Sequence, residues 1–116
     1  MLVNGGDSWM FQIPGTRLVE QQAELCSCSW LGVHTDGIAE MEVDDLKSAL
    51  SNLDIDGIVS GALRSDYQKT RLERMCEDLG IKSFTPLWHQ SSESHMDNLV
   101  ANGFKVMITG VSSEGL

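Results

Sequence analysis

The segment from Asp54 to Gly80 constrains the fold most, because it predicts a buried strand, a glycine turn and a capped helix in direct succession. Ile55, Ile58 and Val59 form a short apolar run bounded by acidic residues. Such a run is typical of a strand that is covered on both faces, as in a parallel sheet. Ser60-Gly61 then ends the strand, so the centre of the chain is expected to be a βα unit.

The helix of this unit is predicted to begin at Asp66 and to end at Gly80. Ser65 and Gln68 have the spacing of a capping box, in which each side chain satisfies a backbone N–H of the other residue. Gly80 suits the left-handed backbone position that follows a helix. The apolar side chains recur at helical spacing and give the helix one face to pack on the sheet. They are Leu72, Met75, Cys76 and Leu79.

A strand followed by a glycine turn and a helix N-terminus is a geometry with which open α/β sheets bind anions. Unpaired N–H groups and the helix dipole point outward together there. One hypothesis is therefore a phosphate or nucleotide site at this turn, and the alternative is an ordinary βα unit with a well-capped helix. The side chains left for the mouth of such a site, or for the solvent, are Tyr67, Lys69, Arg71 and Arg74.

The remaining elements alternate between helix and strand, which predicts one sheet of parallel strands with helices on both faces. The expected helices are Thr16 to about Cys26, with Thr16 as its cap, Ala39 to Leu53, and Ser91 or Ser92 to Asn102. The expected strands are Ser29 to Thr35, Ile81 to Thr85 and Phe104 to Val111. Ligands bind such sheets at the carboxyl ends of the strands. The segments expected at that edge are Asn4 to Phe11, Gly61 to Arg71, Pro86 to His89 and Ser112 to Glu114.

Apolar side chains at helical spacing define the inward faces expected for the outer helices. They are Leu18, Val19, Leu25 and Cys26 in the first of these helices, Val43, Leu46, Ala49, Leu50 and Leu53 in the second, and Met96, Leu99 and Val100 in the third. Acidic residues near the start of the second helix are expected to face outward, where the helix dipole favours them. They are Glu40, Glu42, Asp44 and Asp45, and no acid–base role is assigned to them.

Three stretches of sequence narrow these alternatives: GALRSDYQKTRLERMCEDLG at 61–80, FTPLW at 84–88 and SSEGL at 112–116. Together they resemble the diphthine–ammonia ligase family, which belongs to the N-type ATP pyrophosphatases. The resemblance extends upstream to SWMFQIP at 8–14 and LVEQQAE at 18–24, so it covers essentially the whole chain. The matching residues follow the family's order at close to its spacing, which makes the resemblance specific.

The resemblance implies an α/β fold of the adenine nucleotide alpha hydrolase-like class, a three-layer α/β/α Rossmann-like parallel sheet. Family members begin with a strand and a pyrophosphate loop of the type Ser-Gly-Gly-Lys-Asp-Ser, and they continue beyond the Glu-Gly-Leu at 114–116. We therefore expect residues 1–116 to form a single partial domain whose sheet is incomplete. The strand absent from it would lie between Met1 to Val3 and Ile55 to Ser60.

The first turn of the chain is similar to the pyrophosphate loop only in its glycine content. Asn4-Gly5-Gly6-Asp7-Ser8 lacks the lysine of that loop, so it is interpreted as a surface turn. Trp9, Met10 and Phe11 follow as an apolar cluster in a loop. This cluster either covers the adenine side of a nucleotide site or anchors the core, and both interpretations remain open.

The activity implied by the resemblance is that of an ATP-dependent carbon–nitrogen ligase. The full-length enzyme would use ATP, magnesium and ammonium to amidate the carboxylate of diphthine, a modified histidine on elongation factor 2, and would release AMP and pyrophosphate. Without the pyrophosphate loop, the chain alone is expected to be inactive. The alternative is a nonenzymatic nucleotide-binding or protein-interaction module that kept the α/β edge and lost catalysis.

The resemblance also implies site residues, all of them near the carboxyl edge of the sheet. Lys69 and Arg71 would supply positive charge to phosphate or to the acidic substrate, and Glu114 would orient ammonia or bind magnesium. Gly61 would allow close backbone approach, and Ser65 would serve phosphate or the helix cap. The other residues assigned to ATP or substrate binding are Ala62, Tyr67, Gln68 and Trp88.

Composition restricts the setting and the partners of the chain. A net charge of −9 disfavours a broad nucleic-acid surface, and no run approaches the roughly 20 apolar residues of a membrane span. Three cysteines without a C-x-x-C pair favour a reduced, cytoplasmic setting. Cys26 and Cys28 with His34 lack the fourth ligand of a zinc site, so no protein metal site is expected. An incomplete sheet would also leave an apolar strand edge, so we expect self-association.

Overall fold

Short parallel strands and helices alternate along the computed structural model, which describes residues 1–4 and 8–110. The strands are β1 (Leu2–Val3), β2 (His34–Thr35), β3 (Gly57–Val59) and β4 (Lys82–Phe84). The helices are α1 (Val19–Leu25), which follows a 3-10 turn at Thr16–Leu18, α2 (Met41–Leu50), α3 (Asp66–Leu79) and α4 (Ser92–Ala101). Two predictions, the turn over residues 5–7 and the roles of 112–116, lie outside the described residues.

The strands form two parallel pairs. β1 pairs with β2, with Leu2 opposite His34, and β3 pairs with β4, with Val59 opposite Phe84. The predicted fold class is confirmed, since parallel strands and helices form a mixed α/β structure compatible with an incomplete Rossmann-like α/β/α arrangement. Within residues 1–4 and 8–110, β1 and β3 belong to separate sheets. The resemblance places the strand of the pyrophosphate loop between these two strands.

The core of the described residues lies against α3, as its apolar spacing predicted. Leu72, Met75 and Cys76 are buried, and Met10 from the loop after β1 joins them. The partly buried apolar residues packed around this core come from α2, β3 and both ends of α3; they include Val43, Leu46, Leu50, Ile58, Leu79 and Ile81. The apolar face of α3 therefore joins α2, β3 and the loop that carries Met10.

The predicted limits of α3 are confirmed at both ends. The Ser65 hydroxyl accepts a hydrogen bond from the backbone N–H of Gln68, at 3.3 Å, and the helix begins at Asp66. At the other end Gly80 has φ of 68°, the left-handed conformation that closes a helix. The sequence signals are local here, so they specify the element without help from distant residues.

Within the described residues, the sheet of β3 and β4 is covered on one face only, which contradicts the prediction of a strand buried on both faces. Ile58 packs toward α3, whereas Val59 is 73% exposed and its cross-strand neighbour Phe84 is 62% exposed. Side chains alternate between the two faces of a strand, so Val59 and Phe84 lie together on the face opposite α3. Among the described elements, α4 makes no extensive contact with β3 or β4, so it does not form a layer over that face.

Several outer elements are shorter or more exposed than their sequences predicted. The predicted strand Phe104 to Val111 is wrong over 104–110, which form no ladder and are exposed. The strand expected over Ser29 to Thr35 is reduced to β2. A strand requires a hydrogen-bonded neighbour, and the described residues supply none to most of these two segments. Six apolar residues expected inside are exposed for want of a layer to pack on: Leu18, Val19, Leu25, Cys26, Leu53 and Val100.

Two polar predictions for the outer helices are also wrong. Thr16 does not cap a helix; its hydroxyl donates to the carbonyl of Ile13, and Gly15 precedes the 3-10 turn. Glu42 was expected to face solvent with its acidic neighbours, yet it is completely buried, because the loop after β1 folds over it. None of the described helices has the length and apolar character needed to cross a bilayer.

Candidate functional site

A cleft of about 370 Å³ opens at the carboxyl end of β3. Its walls are the loop Met10–Gln12, the turn Ser60–Ala62, and the side chains of Gln68 and Leu72 on α3. Three residues predicted for the site, Gly61, Ala62 and Gln68, therefore meet in one cavity. The loop that contributes the other wall belongs to the segment expected at the same edge.

Gly61 faces open space. A Cβ placed on it would meet no heavy atom of the described residues within 4 Å, whereas a Cβ on Gly57 would lie 2.6 Å from the carbonyl oxygen of Lys82. Gly57 is thus required by the close approach of β3 to β4. Gly61 has no such requirement from the protein, so its bare backbone is available to a molecule in the cleft.

Ser65 and Gln68 serve the cap and the wall of the cleft separately. Ser65 accepts from the backbone of Gln68, but the Gln68 side chain does not return to Ser65 as a complete capping box requires. Instead its Nε2 donates to the backbone carbonyl of Met10, at 2.9 Å. One residue of α3 therefore ties the helix to the loop 58 positions earlier in the chain.

Lys69 and Trp88 lie against each other beside the start of α3. The Lys69 ammonium lies 5.4 Å from the centroid of the Trp88 ring, within the range of a cation–π interaction. Lys69 also forms an ion pair with Glu73 one turn along the helix. The loop that carries Trp88 is held to the turn after β3 by a hydrogen bond from the backbone N–H of His89 to the carbonyl of Leu63.

Arg71 and Tyr67 form a second cluster on α3, together with Glu40 and Trp9. The guanidinium carbon of Arg71 lies 3.4 Å from the centroid of the Tyr67 ring, and the Trp9 ring lies 6.0 Å from the same ring. Arg71 donates to Glu40 from Nε, at 3.1 Å, and from Nη2. The hydrogen bond from Arg71 lowers the pKa of Glu40, and the same bond raises the pKa of Arg71.

Lys69 and Arg71 were predicted to bind anions, but their protein partners were not predicted. Glu40 and Glu73 occupy the two cations in this structure, so an anionic ligand must compete with a carboxylate at each of them. The spacing of Lys69 and Glu73 is a visible i,i+4 signal. Glu40 lies 31 positions from Arg71, and no local pattern marks that pair.

A resident metal is not supported by the described side chains. Residues 1–4 and 8–110 contain no group of three His, Cys, Asp or Glu side chains that could hold a metal ion. Cys26 and Cys28 are exposed free thiols. Glu114, the residue predicted to orient ammonia or bind magnesium, lies outside the described residues.

Comparisons with known proteins agree with the resemblance noted in the sequence. The sequence profile of one family, described as the diphthamide synthase N-terminal domain, matches residues 1–83. A diphthine–ammonia ligase of Schizosaccharomyces pombe is 30% identical over 95% of this chain and 21% of its own length. Enzymes of the same name from Mus musculus and Homo sapiens are 29% and 28% identical, over 95% of this chain and 47% of their own lengths. The chain thus spans at most about half of these relatives.

Proposed function

Because this chain belongs to the diphthamide synthase N-terminal domain family, we propose that it supplies part of the active site of a diphthine–ammonia ligase. The reaction is the amidation of diphthine on elongation factor 2 with ammonium, at the expense of ATP. The setting proposed for it is cytoplasmic. The names of the relatives support the activity, and the position of the cleft supports the place where ATP binds.

The chemistry requires the carboxylate of diphthine to be activated, because a carboxylate is a poor electrophile. A carboxylate oxygen attacks the α-phosphorus of ATP, the bond to the β-phosphate breaks, and pyrophosphate leaves. Ammonium loses a proton, and the nitrogen of ammonia attacks the carbonyl carbon of the acyl adenylate. The tetrahedral intermediate collapses, AMP leaves with the former carboxylate oxygen, and a second proton is lost from nitrogen. The site must neutralise the phosphates and exclude water during these steps.

The observation that carries the proposal is the cleft at the carboxyl end of β3, where Gly61 faces open space. Open α/β sheets bind nucleotides at this edge. In the proposed complex, the backbone at Gly61-Ala62 approaches the nucleotide closely, and the N-terminus of α3 favours its negative charge. Lys69 and Arg71 supply the positive charge after their carboxylate partners are displaced. Tyr67 and Trp88 provide aromatic surfaces beside these cations.

Magnesium is proposed only as the counter-ion that arrives with ATP. Mg²⁺ usually binds through phosphate oxygens and one or two carboxylates, so the proposal requires no cluster of protein ligands for it. No step of the reaction is assigned to a metal held by the residues at 1–4 and 8–110.

Titration of the isotopically labelled chain with magnesium ATP, followed by NMR, tests the nucleotide site. We expect weak binding, with shifts in the amides of Met10–Gln12, Gly61-Ala62 and Gln68. Gly61→Val should abolish these shifts. Gly110→Val is the matched control, because a Cβ on Gly110 also meets open space but lies outside the cleft. Shifts elsewhere, or equal shifts in Gly61→Val, would remove the nucleotide from this cleft.

The activity itself is tested in a chimera in which this chain replaces the matching segment of the Schizosaccharomyces pombe ligase. Labelled ammonium should enter elongation factor 2 only when ATP is present, and AMP should appear in equal amount. Mass spectrometry measures the first product and chromatography the second. A chimera that binds ATP without amidating its substrate, while the parent enzyme is active, would favour the nonenzymatic alternative.

A further inference from the structure

Glu42 is a buried carboxylate that the proposed reaction does not use. It lies in the first turn of α2 and has 0% exposure. Its Oε1 accepts a hydrogen bond from the hydroxyl of Ser8, which is 34 positions away at the start of the loop that walls the cleft. A fully buried carboxylate in a helix is unusual, so its contacts require an explanation.

The direction of this hydrogen bond follows from the other partners of Ser8. The Ser8 oxygen accepts from the backbone N–H of Met10, at 3.2 Å, and from that of Phe11, at 2.9 Å. A serine hydroxyl has two lone pairs and one proton. Both lone pairs are engaged by the two amides, so the proton is donated to Glu42. The residue at position 42 must therefore be an acceptor.

The same loop is held from the other side by α3. Gln68 donates to the carbonyl of Met10, and the Met10 side chain is 4% exposed in the core. Met10 is thus fixed by its amide through Ser8, by its carbonyl through Gln68, and by its side chain. The wall Met10–Gln12 is positioned by α2 and α3 together.

Stability alone does not account for a carboxylate at position 42. Its second oxygen, Oε2, is buried and has no hydrogen-bond partner in the structure described for residues 1–4 and 8–110. An unpartnered buried oxygen is unfavourable, and an apolar side chain of the same size would avoid it. The contact that the carboxylate does make is the one that orients Ser8, and through Ser8 the amides of the loop.

We propose that Glu42 is a positioning residue, which sets the place of the segment Ser8–Gln12 through Ser8 and thereby shapes the wall of the nucleotide cleft. The nature of the ligand rests on the proposed function; the positioning of the loop does not. Glu42 touches no reacting atom in this scheme. It acts only by accepting the proton of Ser8.

Two substitutions at position 42 of the full chain distinguish the role of the hydrogen-bond acceptor from the roles of negative charge and of side-chain volume. Glu42→Gln keeps an acceptor oxygen of the same length, whereas Glu42→Met keeps a buried side chain of similar size without it. The exchange of the Met10 and Phe11 amides with D₂O should be about tenfold faster in Glu42→Met than in wild type, and within about twofold of wild type in Glu42→Gln. ATP affinity by NMR titration should follow the same order. The thermal midpoints of the variants should not follow the order of either the exchange rates or the ATP affinities.

Ser8→Ala provides a second route to the same bond and keeps the test decisive if Glu42→Met does not fold. It should speed the exchange of the same two amides and weaken ATP binding. Adding Glu42→Met to Ser8→Ala should not speed the exchange of these amides further, because Glu42 acts on them through the Ser8 hydroxyl, which is already absent. Additive effects would overturn the proposed link.

Other outcomes also overturn the inference. If amide exchange and ATP affinity change as much in Glu42→Gln as in Glu42→Met, the negative charge of Glu42 is required, and its role as a hydrogen-bond acceptor does not explain the effect. If all variants lose ATP affinity in proportion to their thermal midpoints, Glu42 has a purely structural role. If wild type shows no ATP-dependent shifts while the amide exchange behaves as expected, the proposed ligand is wrong and the positioning of the loop stands.

Discussion

Arg71 of α3 is held by Glu40, the residue that precedes α2, through Nε and Nη2 donating to the same carboxylate oxygen. The Tyr67 ring also lies against the guanidinium. This pair joins two helices at the surface, and it also occupies a cation that the resemblance assigns to phosphate or substrate. The structure therefore links the stability of the α2–α3 contact to the electrostatics of the site.

The ion pair between Glu40 and Arg71 makes the stability of the chain depend on pH in the acidic range. The pKa of Glu40 is lowered in the folded chain, so its contribution is present above the unfolded carboxyl pKa of about 4.3 and is lost as pH falls through the lower folded value. The difference in thermal midpoint between wild type and Glu40→Gln should shrink over that interval. Salt should reduce this difference in thermal midpoint at neutral pH, because the carboxylate of Glu40 is exposed. Glu77→Gln is the control, since it removes an exposed carboxylate of α3 outside this pair. An equal change in that variant would contradict the prediction.

Removal of Lys69 should impair amidation far more than folding. In the ligase chimera, Lys69→Ala should lower the ATP-dependent rate at least about tenfold, while its lost pair with Glu73 changes the free energy of unfolding by about 0.5 kcal/mol or less. Lys47→Ala is the matched control, because Lys47 also pairs with an acidic residue, Asp78, and is not among the residues that the resemblance assigns to the site. Rates are measured by incorporation of labelled ammonium. Wild-type turnover in Lys69→Ala would make Lys69 a surface charge.

Removal of Arg71 should lower the amidation rate, as removal of Lys69 does. It should also lower the stability of the chain measurably. Arg71→Ala leaves Glu40 without its hydrogen bonds and uncovers the Tyr67 ring. Amidation by the chimera should fall more than stability does, and Arg71→Lys should restore charge without the planar contact to the ring. A loss of activity fully explained by the fraction unfolded, measured by circular dichroism, would contradict this assignment.

The Ser65 cap should be worth a measurable part of the stability of α3. Ser65→Ala removes the acceptor for the Gln68 amide and should lower the free energy of unfolding by about 0.5–2 kcal/mol. Ser65→Asp keeps an acceptor at the positive end of the helix and should recover most of the loss. Urea denaturation followed by circular dichroism measures both. The cap assignment fails if the midpoint for Ser65→Ala equals that of wild type within error.

Alanine substitution should destabilise the chain at one glycine of the central βα unit, Gly57, and leave its stability nearly unchanged at another, Gly61. Gly57→Ala brings a methyl group to 2.6 Å from the Lys82 carbonyl and should destabilise the chain by about 1–3 kcal/mol, because backbone must move. Gly61→Ala meets open space and should leave the thermal midpoint nearly unchanged. Calorimetry compares the two variants directly. Similar losses in both would show that the turn after β3 is packed more tightly than its geometry indicates.

The uncovered face of β3 and β4 should make the chain associate with itself when it is produced alone. Val59 and Phe84 are neighbours on that face, and exposed apolar sheet surface promotes association. The apparent mass by light scattering and the melting temperature should therefore rise with concentration. Val59→Lys with Phe84→Lys should reduce association, whereas Leu25→Lys, at an even more exposed apolar residue of α1, should not. A monomer whose melt does not depend on concentration would contradict this prediction.

Much of the site could be anticipated because its signals are short in sequence. Gly61, Ala62 and Gln68 were expected at one edge, and the cleft brings them together. The loop after β1 was expected either to cover a nucleotide or to anchor the core; Met10 is buried in the core, and Met10–Gln12 also line the cleft in which ATP is proposed to bind. The carboxylate partners of Arg71 and Ser8 were not anticipated, because they come from another element and no periodicity marks them.

The sequence by itself determined the central βα unit, with its cap at Ser65, its end at Gly80 and the buried face of α3. These features depend on backbone hydrogen bonds and side-chain spacings within a few residues, so local chemistry suffices to specify them. Only the tertiary structure decided that Glu42 is buried, that Val59 is exposed and that 104–110 form no strand. Burial and strand pairing depend on whether a distant segment supplies a layer or a hydrogen-bonded neighbour, and hydrophobic pattern alone does not contain that information.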